Sequence, residues 1–360
     1  MIPSMERIAG DGFIRVALVI VTYDSERYLD ECLGSVRGCD RNGLSLDVIV
    51  VDNASRDGTA DRLRRDFPEV LLLEQQRNLG FAAGNNVGIR AAAERGAQFV
   101  YLLNPDTIVE HGFLREALAV ATADPHLGGV QSLLLLADDR KRVNTWGNAV
   151  HFLGFGYCGG LGAAASEAPK MPVEIAFASG AATLFRLDAV FAAGLFDDDL
   201  FLYHEDMDLS WRLRLSGWRL ALAPRSVVYH KYAFNKAKSK FFFLERNRLL
   251  VLAKNLKLRN LLLLAPLLAI ADMGVLLMAL RGGWAGEKLK ATAHLFLPRA
   301  WRHIARGRRE QRRIRRVSDR EIARLFTPAI EFEGVTTPLI DVAANPAMRV
   351  AWSALSRFIT

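Results

Sequence analysis

The sequence predicts an α/β fold with a mainly parallel central sheet flanked by helices, and three observations lead to this prediction. A continuous apolar, β-branched run occurs at 16–21, as in a strand buried on both faces, and further strands are predicted at 47–51, 70–73 and 99–103. Helical patterns separate these runs, so strand and helix alternate four times. Polar clusters follow the runs, and open α/β sheets bind ligands at the carboxyl ends of their strands.

The helices are predicted from the spacing of their apolar residues. A stripe of apolar side chains indicates a helix over 28–36, and further helices are expected over 86–95 and near 112–122. Beyond residue 110 the alternation loosens. An acidic cluster at 197–208 then precedes another strand, which is predicted over 218–229.

The net charge limits the kinds of partner that the protein can have, and the cysteines indicate its cellular compartment. The formal net charge is +8, so a negatively charged partner is expected; nucleic acid, anionic lipid and a phosphorylated substrate all remain open. The cysteines (Cys32, Cys39 and Cys158) form neither a disulfide framework nor a zinc spacing, as expected of free thiols in a reducing compartment. Charged residues interrupt any apolar run before Val16, so we expect no signal peptide and a cytosolic protein.

The first two predicted strands end in polar residues suited to a nucleotide. Thr22 and Tyr23 follow the first strand, and Asp52 and Asn53 follow the second. A carboxylate or amide at this edge can hydrogen-bond the imide edge of uracil or thymine, or a ribose hydroxyl. The alternative is that the segment 52–59 only caps the next helix, as Asp and Ser do routinely.

A polar loop punctuated by glycine then leads into a helix. It contains Arg77, Asn78, Gly80, Phe81 and Asn85. Backbone amides at a helix N-terminus favour phosphate, and Arg77 adds positive charge. Such loops are common before helices, so this one indicates a phosphate site only together with the other clusters.

The segment Asn104-Pro105-Asp106 ends the fourth strand and offers a metal ligand. One carboxylate on a short turn stiffened by proline suits Mg²⁺ or Mn²⁺, hard cations that also bind phosphate oxygens. Such a metal would act as a Lewis acid toward a departing diphosphate. His230, at the end of the strand over 218–229, is a second candidate ligand for the metal or the diphosphate. A turn-forming aspartate and a structural histidine are the alternatives.

The segment 203–212, Tyr-His-Glu-Asp-Met-Asp-Leu-Ser-Trp-Arg, is the most informative one. Leu209 and Leu213 are spaced i and i+4 and Gly217 supplies a stop, so a short helix is predicted to begin near Asp206. Acids in a first turn partly serve the helix dipole. A carboxylate at this positive helix end also stays ionised at neutral pH, so it can act as a general base, a role worth about 10²–10⁴ in rate.

Two other patterns are not interpreted as functional motifs. The stretch 154–159 matches the dinucleotide fingerprint G-x-G-x-x-G literally, but no clear strand precedes it, and Pro169 and Pro172 interrupt the segment after it. We therefore expect the glycine-rich stretch 154–162 to be a mobile loop. Ser179-Gly180 lacks the second flanking glycine of a nucleophile elbow.

Together these segments resemble glycosyltransferase family 2, of GT-A fold, and especially its bacterial rhamnosyltransferase-like members. The motifs that carry the resemblance stand in family order: VIVTY (19–23), VDNASRDGT (51–59), NLGFAAGNN (78–86), LNPDT (103–107) and YHEDMDLSWR (203–212). The resemblance implies an inverting transfer of sugar from a nucleotide-diphosphate donor. This transfer is a single displacement at the anomeric carbon, with one base and no covalent intermediate.

The resemblance also implies roles for single residues. Asp206 is the expected base, with Glu205 in reserve, and Asp106 and His230 are the expected ligands of Mg²⁺ or Mn²⁺. The donor is expected to contact Thr22, Tyr23, Asp52, Asn53, Ser55, Asp57, Arg77, Asn78, Gly80, Phe81, Asn85, Asn104 and Asp106. The acceptor is expected to contact Ser179, Gly180, Trp211 and Arg212. The segment 104–106 keeps one carboxylate of the family's usual Asp-x-Asp motif, which leaves strict metal dependence open. The Gln-x-x-Arg-Trp motif of processive members is missing, so we expect addition of one sugar per encounter.

The C-terminal region is apolar and basic. Asp272 alone adds charge to the run 261–280, which at about 1.5 Å per residue could just cross a bilayer core of about 30 Å. A central aspartate costs about 2.5–3.5 kcal/mol on insertion scales, and basic residues flank the run on both sides, against the positive-inside rule. We expect a helical region that lies on an anionic membrane surface or re-enters it. The alternative is a helical subdomain packed on the enzyme. Nucleic-acid binding is not expected, because no recognised module accompanies the arginines.

These inferences divide the chain and suggest a function. We expect a leader (1–15), a nucleotide-sugar-binding half (16–110), an acceptor-binding and catalytic half (111–235), a basic, apolar, membrane-associating region (236–330) and a C-terminal tail (331–360). The expected reaction transfers L-rhamnose from dTDP-rhamnose to a lipid-linked or polysaccharide precursor, at the cytoplasmic face of the plasma membrane. Alternatives are a UDP-hexose or UDP-galactofuranose donor, a sugar-phosphate nucleotidyltransferase, and a catalytically inactive membrane-associated scaffold. Self-association into a homo-oligomer is left open.

Overall fold

A computed structural model of the chain describes residues 13–232, 238–331 and 340–360. Most of the predicted leader, and the predicted boundary between 235 and 236, lie outside these residues. The strands are β1 (Ile14–Thr22), β2 (Leu44–Asp52), β3 (Leu71–Glu74), β4 (Phe99–Leu103), β5 (Thr107–Val109), β6 (Leu127–Leu136), β7 (Val143–Thr145), β8 (Asn148–His151), β9 (Gly156–Cys158), β10 (Val173–Glu174), β11 (Ala182–Arg186), β12 (Arg219–His230) and β13 (Phe326–Thr327). The helices are α1 (Leu29–Arg37), α2 (Thr59–Asp66), α3 (Gly80–Glu94), α4 (Phe113–Ala123), α5 (Leu187–Ala192), α6 (Glu205–Leu215), α7 (Lys240–Asn255), α8 (Leu258–Gly282), α9 (Ala285–His294), α10 (Pro298–Ile314), α11 (Asp319–Ala323) and α12 (Asn345–Leu355).

The central sheet confirms the predicted α/β class and is mixed in direction. Over the described ranges it has ten strands, in the order β10-β12-β6-β11-β4-β1-β2-β3, with β5 paired to β12 and β7 to β6. The strands β4, β1, β2 and β3 are parallel, as predicted. β11 runs back between β4 and β6 and is antiparallel to both, whereas β6 and β12 are parallel. The prediction of a mainly parallel sheet is therefore accurate for the first half of the chain only.

The apolar run in β1 is continuous because both of its faces are covered. Leu18 and Ile20 lie in one hydrophobic cluster with residues of α1 and α4, and Val19 lies in a second cluster with residues of α3 and α6. Helix α3 lies very close to this strand. A Cβ atom added at Gly88 would approach Val19 Cγ1 to 2.3 Å, so a glycine is needed at the contact.

Helix α3 begins six residues earlier than its predicted start at 86. Its first turns contain the polar residues Asn85 and Asn86, which hide the apolar spacing, yet both are buried in the structure. Asn85 Nδ2 donates to Phe81 O at 2.9 Å, and Asn86 Nδ2 donates to Phe196 O at 2.9 Å. These internal hydrogen bonds satisfy the buried amides and allow the helix to start at Gly80.

The glycine-rich stretch 154–162, expected to be a mobile loop, contains an ordered strand. β9 pairs antiparallel with β8, and β13 pairs in parallel with β8 on its other side. Gly159 and Gly160 allow this hairpin to pack tightly, since added Cβ atoms would meet Gly147 O and the Trp146 ring at 2.3 Å. The glycines serve close packing.

The C-terminal helices share a hydrophobic core with the rest of the molecule. One cluster joins Phe152 and Trp211 to Leu252 of α7, Leu264 of α8 and Ile304 of α10. Among the described helices, α8 is long and apolar enough, by length and composition, to cross a membrane. Its sequence contains Pro266 within the helix.

Candidate active site

The segments that follow β2 and β3 are tied to the loop before α6. Asn53 Nδ2 donates to Gly80 O at 2.9 Å, and Leu79 N donates to Asn53 Oδ1 at 3.0 Å. Phe81 N then donates to Phe201 O at 2.8 Å. The amide of Asn53 is engaged at both ends, so it orients the loop 79–81 at the carboxyl edge of the sheet.

A second chain of contacts connects the end of β4 with the start of α6. Asn104 N donates to Ala181 O at 2.9 Å, and Gly180 N donates to Asp206 Oδ2 at 3.3 Å. Gly180 and Ala181 are adjacent, so the segment around them lies between Asn104 and Asp206. Gly180 also faces Phe81, because an added Cβ would meet that ring at 2.9 Å. The structure thus brings four of the predicted motifs to one edge of the sheet.

Asp52 is buried at the end of β2 and held in one orientation. Its Oδ1 accepts hydrogen bonds from Thr22 Oγ1 at 3.1 Å and from Ser55 Oγ at 2.5 Å, and its Oδ2 accepts from Ser55 N at 3.1 Å. A carboxylate has about four lone-pair sites. These three donors therefore fix Asp52 and leave it able to accept one more hydrogen bond from a ligand.

Asp57 and three exposed donor candidates complete the predicted donor-contacting set. Burial acts to raise the pKa of Asp57, but hydrogen bonds from Thr59 and from the Glu26 N–H outweigh it and lower the pKa. Asp57 therefore shapes the turn before α2. Tyr23, Arg77 and Asn78 have exposed side chains, so they are available to a ligand at this edge.

Asp106 and His230 form the predicted pair at the far side of the site. His230 Nε2 lies 3.4 Å from Asp106 Oδ1, and His230 Nδ1 lies 2.8 Å from Asn144 Oδ1. An amide oxygen only accepts, so in this arrangement His230 Nδ1 donates to Asn144 and Nε2 faces Asp106. Asn144 thereby positions His230 with its free nitrogen toward Asp106.

The oxygen atoms around this pair fit a hard cation. Asn104 Oδ1 and Asp106 Oδ1 are both buried and accept no hydrogen bond from any described residue. Buried acceptors are normally satisfied, so these two oxygens lack a partner that a cation would supply. Carboxylate and amide oxygens and an imidazole nitrogen are all ligand types that Mg²⁺ or Mn²⁺ accepts.

The acids at the start of α6 occupy different environments. Burial raises the pKa of Asp206 to about 6, although hydrogen bonds from Met207 N and Gly180 N partly oppose the rise. Burial, with the neighbouring Asp206, raises the pKa of Glu205 well above its usual range. With a pKa of about 6, Asp206 is mostly ionised at neutral pH, whereas burial and the neighbouring Asp206 favour the protonated form of Glu205.

Asp208, the third acid, belongs to the interior. It is fully buried, and its carboxylate lies 2.9 Å from Arg212 Nε and 3.0 Å from Lys254 Nζ. Burial acts to raise the pKa of Asp208, but Lys254 and Arg212 overcome this effect and lower it. Asp208 therefore joins α6 to α7, and its charge is already balanced.

The backbone before α6 is strained. Phe201, Tyr203 and His204 have φ angles of 64°, 66° and 64°, a backbone conformation that residues other than glycine seldom adopt. Such residues persist where surrounding contacts force them, and they cluster at functional sites. This strained turn directly precedes Glu205 and Asp206.

The sequence around this site matches a known enzyme family. The model of the glycosyltransferase-like family 2 matches residues 14–249, which include every motif described above. The chain belongs to glycosyltransferase-like family 2. It is therefore a glycosyltransferase, and the strands, loops and acidic residues described above lie within the region that matches the family.

Relatives and solved structures agree with this assignment. The glycosyltransferase is 27% identical over 239 residues to the N-acetylglucosaminyl-diphospho-decaprenol L-rhamnosyltransferase of Mycobacterium tuberculosis (strain CDC 1551 / Oshkosh), covering 61% of this chain and 77% of that protein. The structure of GalNAc-T7 with UDP, GalNAc and Mn²⁺ aligns with a TM-score of 0.55 and 17% identity, over 68% of this chain and 48% of that one. The structure of S. aureus TarS 1-349 aligns with a TM-score of 0.50 and 14% identity, over 95% and 88%. The structural likenesses show the GT-A fold.

Two predicted acceptor residues of the glycosyltransferase lie in its interior. Trp211 is 3% exposed and packs edge-on against Phe326, and Arg212 is 4% exposed and pairs with Asp208. Their side chains offer no surface to an acceptor, so we do not retain them as acceptor contacts. Ser179 and Gly180 stay next to Asp206, with Ser179 N donating to Gln131 Oε1 at 2.8 Å.

A second acidic group stands apart from the Asp106 pair. Asp197, Asp199 and His303 have ligand atoms within 4.8 Å of one another, so by composition they could hold a cation. Their carboxylates already pair with Lys254 and with Arg306, the latter at 2.6 Å from Asp199. We interpret this group as an ion-pair network that fastens α10 to the segment before α6.

Sequence reasoning missed two residues that organise the site. Asn144 lies 86 residues from His230, and no local pattern connects them. Asn247 of α7 contacts the strained turn before α6, with Nδ2 2.7 Å from Tyr203 O. For Asn247 a signal existed: the polar run 245–248 interrupts an apolar helix, which indicates a buried polar network.

Proposed function

We propose that this glycosyltransferase transfers a sugar from a nucleotide-diphosphate donor to a hydroxyl of a lipid-linked or polysaccharide precursor, with inversion at the anomeric carbon. One observation carries this proposal. Asp206, a carboxylate whose pKa burial raises to about 6, is held by Gly180 N beside the segment that contacts Asn104. One direct displacement requires a single oriented base, and Asp206 is the residue proposed for that role.

Asp206 is the proposed general base. Its raised pKa, about 6, gives it a greater affinity for a proton than an exposed carboxylate has, while it remains ionised at neutral pH. It accepts the proton of the acceptor hydroxyl as that oxygen attacks the anomeric carbon. Glu205 is buried, and burial and the neighbouring Asp206 raise its pKa, so we assign it to the support of the strained turn.

Asp106 and His230, with Asn104, are the residues that would hold Mg²⁺ or Mn²⁺. The metal, when bound, would neutralise charge on the departing diphosphate. The buried oxygens of Asn104 and Asp106, which accept no hydrogen bond in the described structure, support this assignment. Arg77, exposed at the same edge, would add a positive charge for the diphosphate.

The donor proposed first is dTDP-L-rhamnose. The support is the 27% identity to an L-rhamnosyltransferase whose name gives N-acetylglucosaminyl-diphospho-decaprenol as its acceptor. Asp52, with one lone-pair site free, would accept the imide N–H of thymine or a ribose hydroxyl. UDP-hexose and UDP-galactofuranose are the alternative donors, because uracil presents the same imide edge. We place this reaction at the inner face of the plasma membrane, with the enzyme bound peripherally.

A donor screen followed by a transfer assay tests the function. Thermal unfolding is measured with dTDP-rhamnose, UDP-glucose and UDP-galactofuranose, each with Mn²⁺ or with EDTA, because a ligand stabilises in proportion to its affinity. The donor that stabilises most is then assayed with a lipid-linked N-acetylglucosamine diphosphate, and NMR gives the anomeric configuration of the product. Inverted product from a Mn²⁺-dependent dTDP-rhamnose reaction supports every part of the proposal. Retention of configuration would overturn the single-displacement mechanism.

A further inference from the structure

We propose that α8, α9 and the start of α10 form a surface that lies in the headgroup region of an anionic bilayer, with α8 in the plane of the membrane and not across it. The inference deepens the proposed function, on which it rests for the lipid-linked acceptor. It commits to a lipid bilayer as the occupant of this surface, which we call the α8–α10 face.

One stripe of α8 is apolar and exposed along the whole helix. Its side chains are between 54% and 69% exposed: Leu258, Leu262, Ile270, Met273, Leu277 and Leu280. The spacings of three, four and eight residues keep them on one side of the helix. At about 1.5 Å per residue, the 25 residues of α8 present an apolar strip about 37 Å long.

The helices that follow extend the apolar surface with bulky residues. Leu289 of α9 is 58% exposed, and Phe296 and Trp301, on either side of the start of α10, are 80% and 63% exposed. Exposed bulky apolar side chains concentrated on neighbouring helices in this way are unusual on soluble monomers and mark an interaction site. Phenylalanine and tryptophan are favoured where an apolar core meets polar headgroups.

Basic side chains accompany the apolar ones and identify the occupant. Arg259 and Arg281 are exposed near the two ends of α8, and Lys290, Arg299 and Arg302 are exposed beside Leu289, Phe296 and Trp301. Anionic headgroups complement such a fringe. A second copy of the chain does not, since a two-fold contact through this face would bring the two basic fringes together.

The opposite side of α8 is fixed to the enzyme. Asn260 Nδ2 donates to Asp319 Oδ2 at 2.7 Å, and Leu264 and Ala279 are fully buried. Between them, Asp272 Oδ1 accepts from Arg248 Nη2 at 2.9 Å and from Lys288 Nζ. Contacts near both ends and at the middle therefore hold the whole helix against α7, α9 and α11.

The ion pairs at Asp272 argue against a crossing helix. Glu245 accepts from Arg248 at 2.9 Å and from Lys288 at 2.8 Å, so two carboxylates balance two buried cations. Moving α8 across a bilayer would take Asp272 away from this group, leaving an unpaired acid in hydrocarbon and an excess buried charge in the protein. An in-plane helix keeps every pair and still buries its apolar stripe.

Vesicle binding by the full chain tests this inference. Sedimentation is measured with vesicles of phosphatidylcholine alone and of phosphatidylcholine mixed with phosphatidylglycerol, at low and high salt. The test variant carries Leu262→Glu, Ile270→Glu and Leu277→Glu, and the control carries Met171→Glu, at a position that is 73% exposed in the segment before β10. We expect binding to the anionic vesicles, a loss of at least about tenfold in the triple variant, and no change in the control.

Further measurements separate the alternatives. Release of the wild type from membranes by alkaline carbonate supports the in-plane arrangement, and resistance to it would overturn that arrangement in favour of a crossing helix. A dimer in solution that the triple variant makes monomeric, with no vesicle binding, would overturn the bilayer as occupant. Donor-induced stabilisation of the triple variant separates this inference from the proposed function. If the donor still stabilises the triple variant while vesicle binding is lost, the α8–α10 face acts in membrane docking. If the wild type binds vesicles but transfers no sugar, only the proposed function fails.

Discussion

Asn247 of α7 donates a hydrogen bond to the main-chain oxygen of Tyr203 at 2.7 Å, directly before the helix that begins with Glu205 and Asp206. Its Nδ2 also lies 2.9 Å from Leu200 O and 2.9 Å from Leu202 O. One buried amide thus holds the carbonyls of a turn whose backbone is strained at Phe201, Tyr203 and His204. The C-terminal helices therefore help to set the geometry of the catalytic segment.

Removing this amide is expected to impair turnover. Asn247→Leu leaves the strained turn free to relax, so Asp206 is displaced from its aligned position, and a misplacement of about 1 Å costs about 10²-fold in rate. We expect kcat to fall by that order while the KM for the donor changes little. Steady-state kinetics with a saturating acceptor gives both values.

The matched control is Asn345→Leu. Asn345 is also a buried asparagine that bonds a main-chain oxygen, Ile330 O at 3.1 Å, but it lies at the start of α12. The Asn345→Leu variant should lose about as much stability as Asn247→Leu and keep the kcat of the wild type. Equal losses of kcat in the two variants would show that Asn247 acts only through general stability.

The rate of transfer should depend on the ionisation of Asp206. Because burial raises the pKa of this carboxyl to about 6, the base is protonated below that pH. We expect kcat to fall about tenfold per pH unit below pH 6 and to be level above it. A pH–rate profile checks this, and a rate that is unchanged down to pH 4.5 would contradict the role of Asp206.

The same shift predicts a stabilising mutation. A carboxyl whose folded pKa lies above its unfolded value lowers the free energy of unfolding as pH rises from about 4 to about 6. Asp206→Asn removes this cost, so the variant should gain thermal stability over the wild type at pH 7 and gain little at pH 4. Calorimetry at both pH values measures the difference. A variant that is less stable at pH 7 would mean that the charged form is favoured by the fold.

The metal pair is expected to depend on Asn144. This residue fixes His230 with Nε2 toward Asp106, and loss of such a supporting contact costs about 10–100-fold in metal affinity. Asn144→Ala should weaken Mn²⁺ binding by that factor, measured by electron paramagnetic resonance of free Mn²⁺. Asn148→Ala, at a buried asparagine that pairs with Thr145, is the control and should bind Mn²⁺ as the wild type does.

In the ion pairs beneath α8, a double substitution that keeps the charges balanced should lower the free energy of unfolding less than a single substitution does. Asp272→Asn leaves Arg248 and Lys288 with Glu245 alone, and we expect a loss of about 1–3 kcal/mol in the free energy of unfolding. Adding Lys288→Met restores the balance of charge and should recover part of this loss. Chemical denaturation of the single and double variants measures it. A double variant less stable than Asp272→Asn would show that charge balance does not govern this group.

Much of the fold was predictable because the first half of the chain has strong periodic signals. The strand at 99–103 is confirmed residue for residue as β4, those at 16–21 and 47–51 lie inside β1 and β2, and that at 70–73 is one residue out of step with β3. The direction of β11 was not predictable, because a short apolar strand carries no signal for the neighbour that it pairs with. The glycine-rich stretch 154–162 was misjudged, since its order depends on packing against Trp146 and Gly147.

The motifs of the candidate site were predictable from the sequence, but the residues that position them were not. Asp106 and His230 are 124 positions apart, yet each ends a strand, and strand ends meet at one edge. Trp211 and Arg212 were expected to contact the acceptor because of the family resemblance of their segment. The structure buries them, since Asp208 draws Arg212 inward and Phe326 covers Trp211. Such pairings depend on tertiary contacts that no local pattern records.

The most direct test of this account is a single-turnover measurement on Asp206→Asn with donor binding measured in parallel. We predict a transfer rate about 10²–10⁴-fold below that of the wild type, with donor affinity nearly unchanged, because the amide keeps the shape of the carboxylate and cannot accept the proton. Glu205→Gln should retain more activity, since burial and the neighbouring Asp206 favour the protonated form of Glu205. Full transfer by Asp206→Asn, or a larger loss in Glu205→Gln, would contradict the assignment of Asp206 as the base.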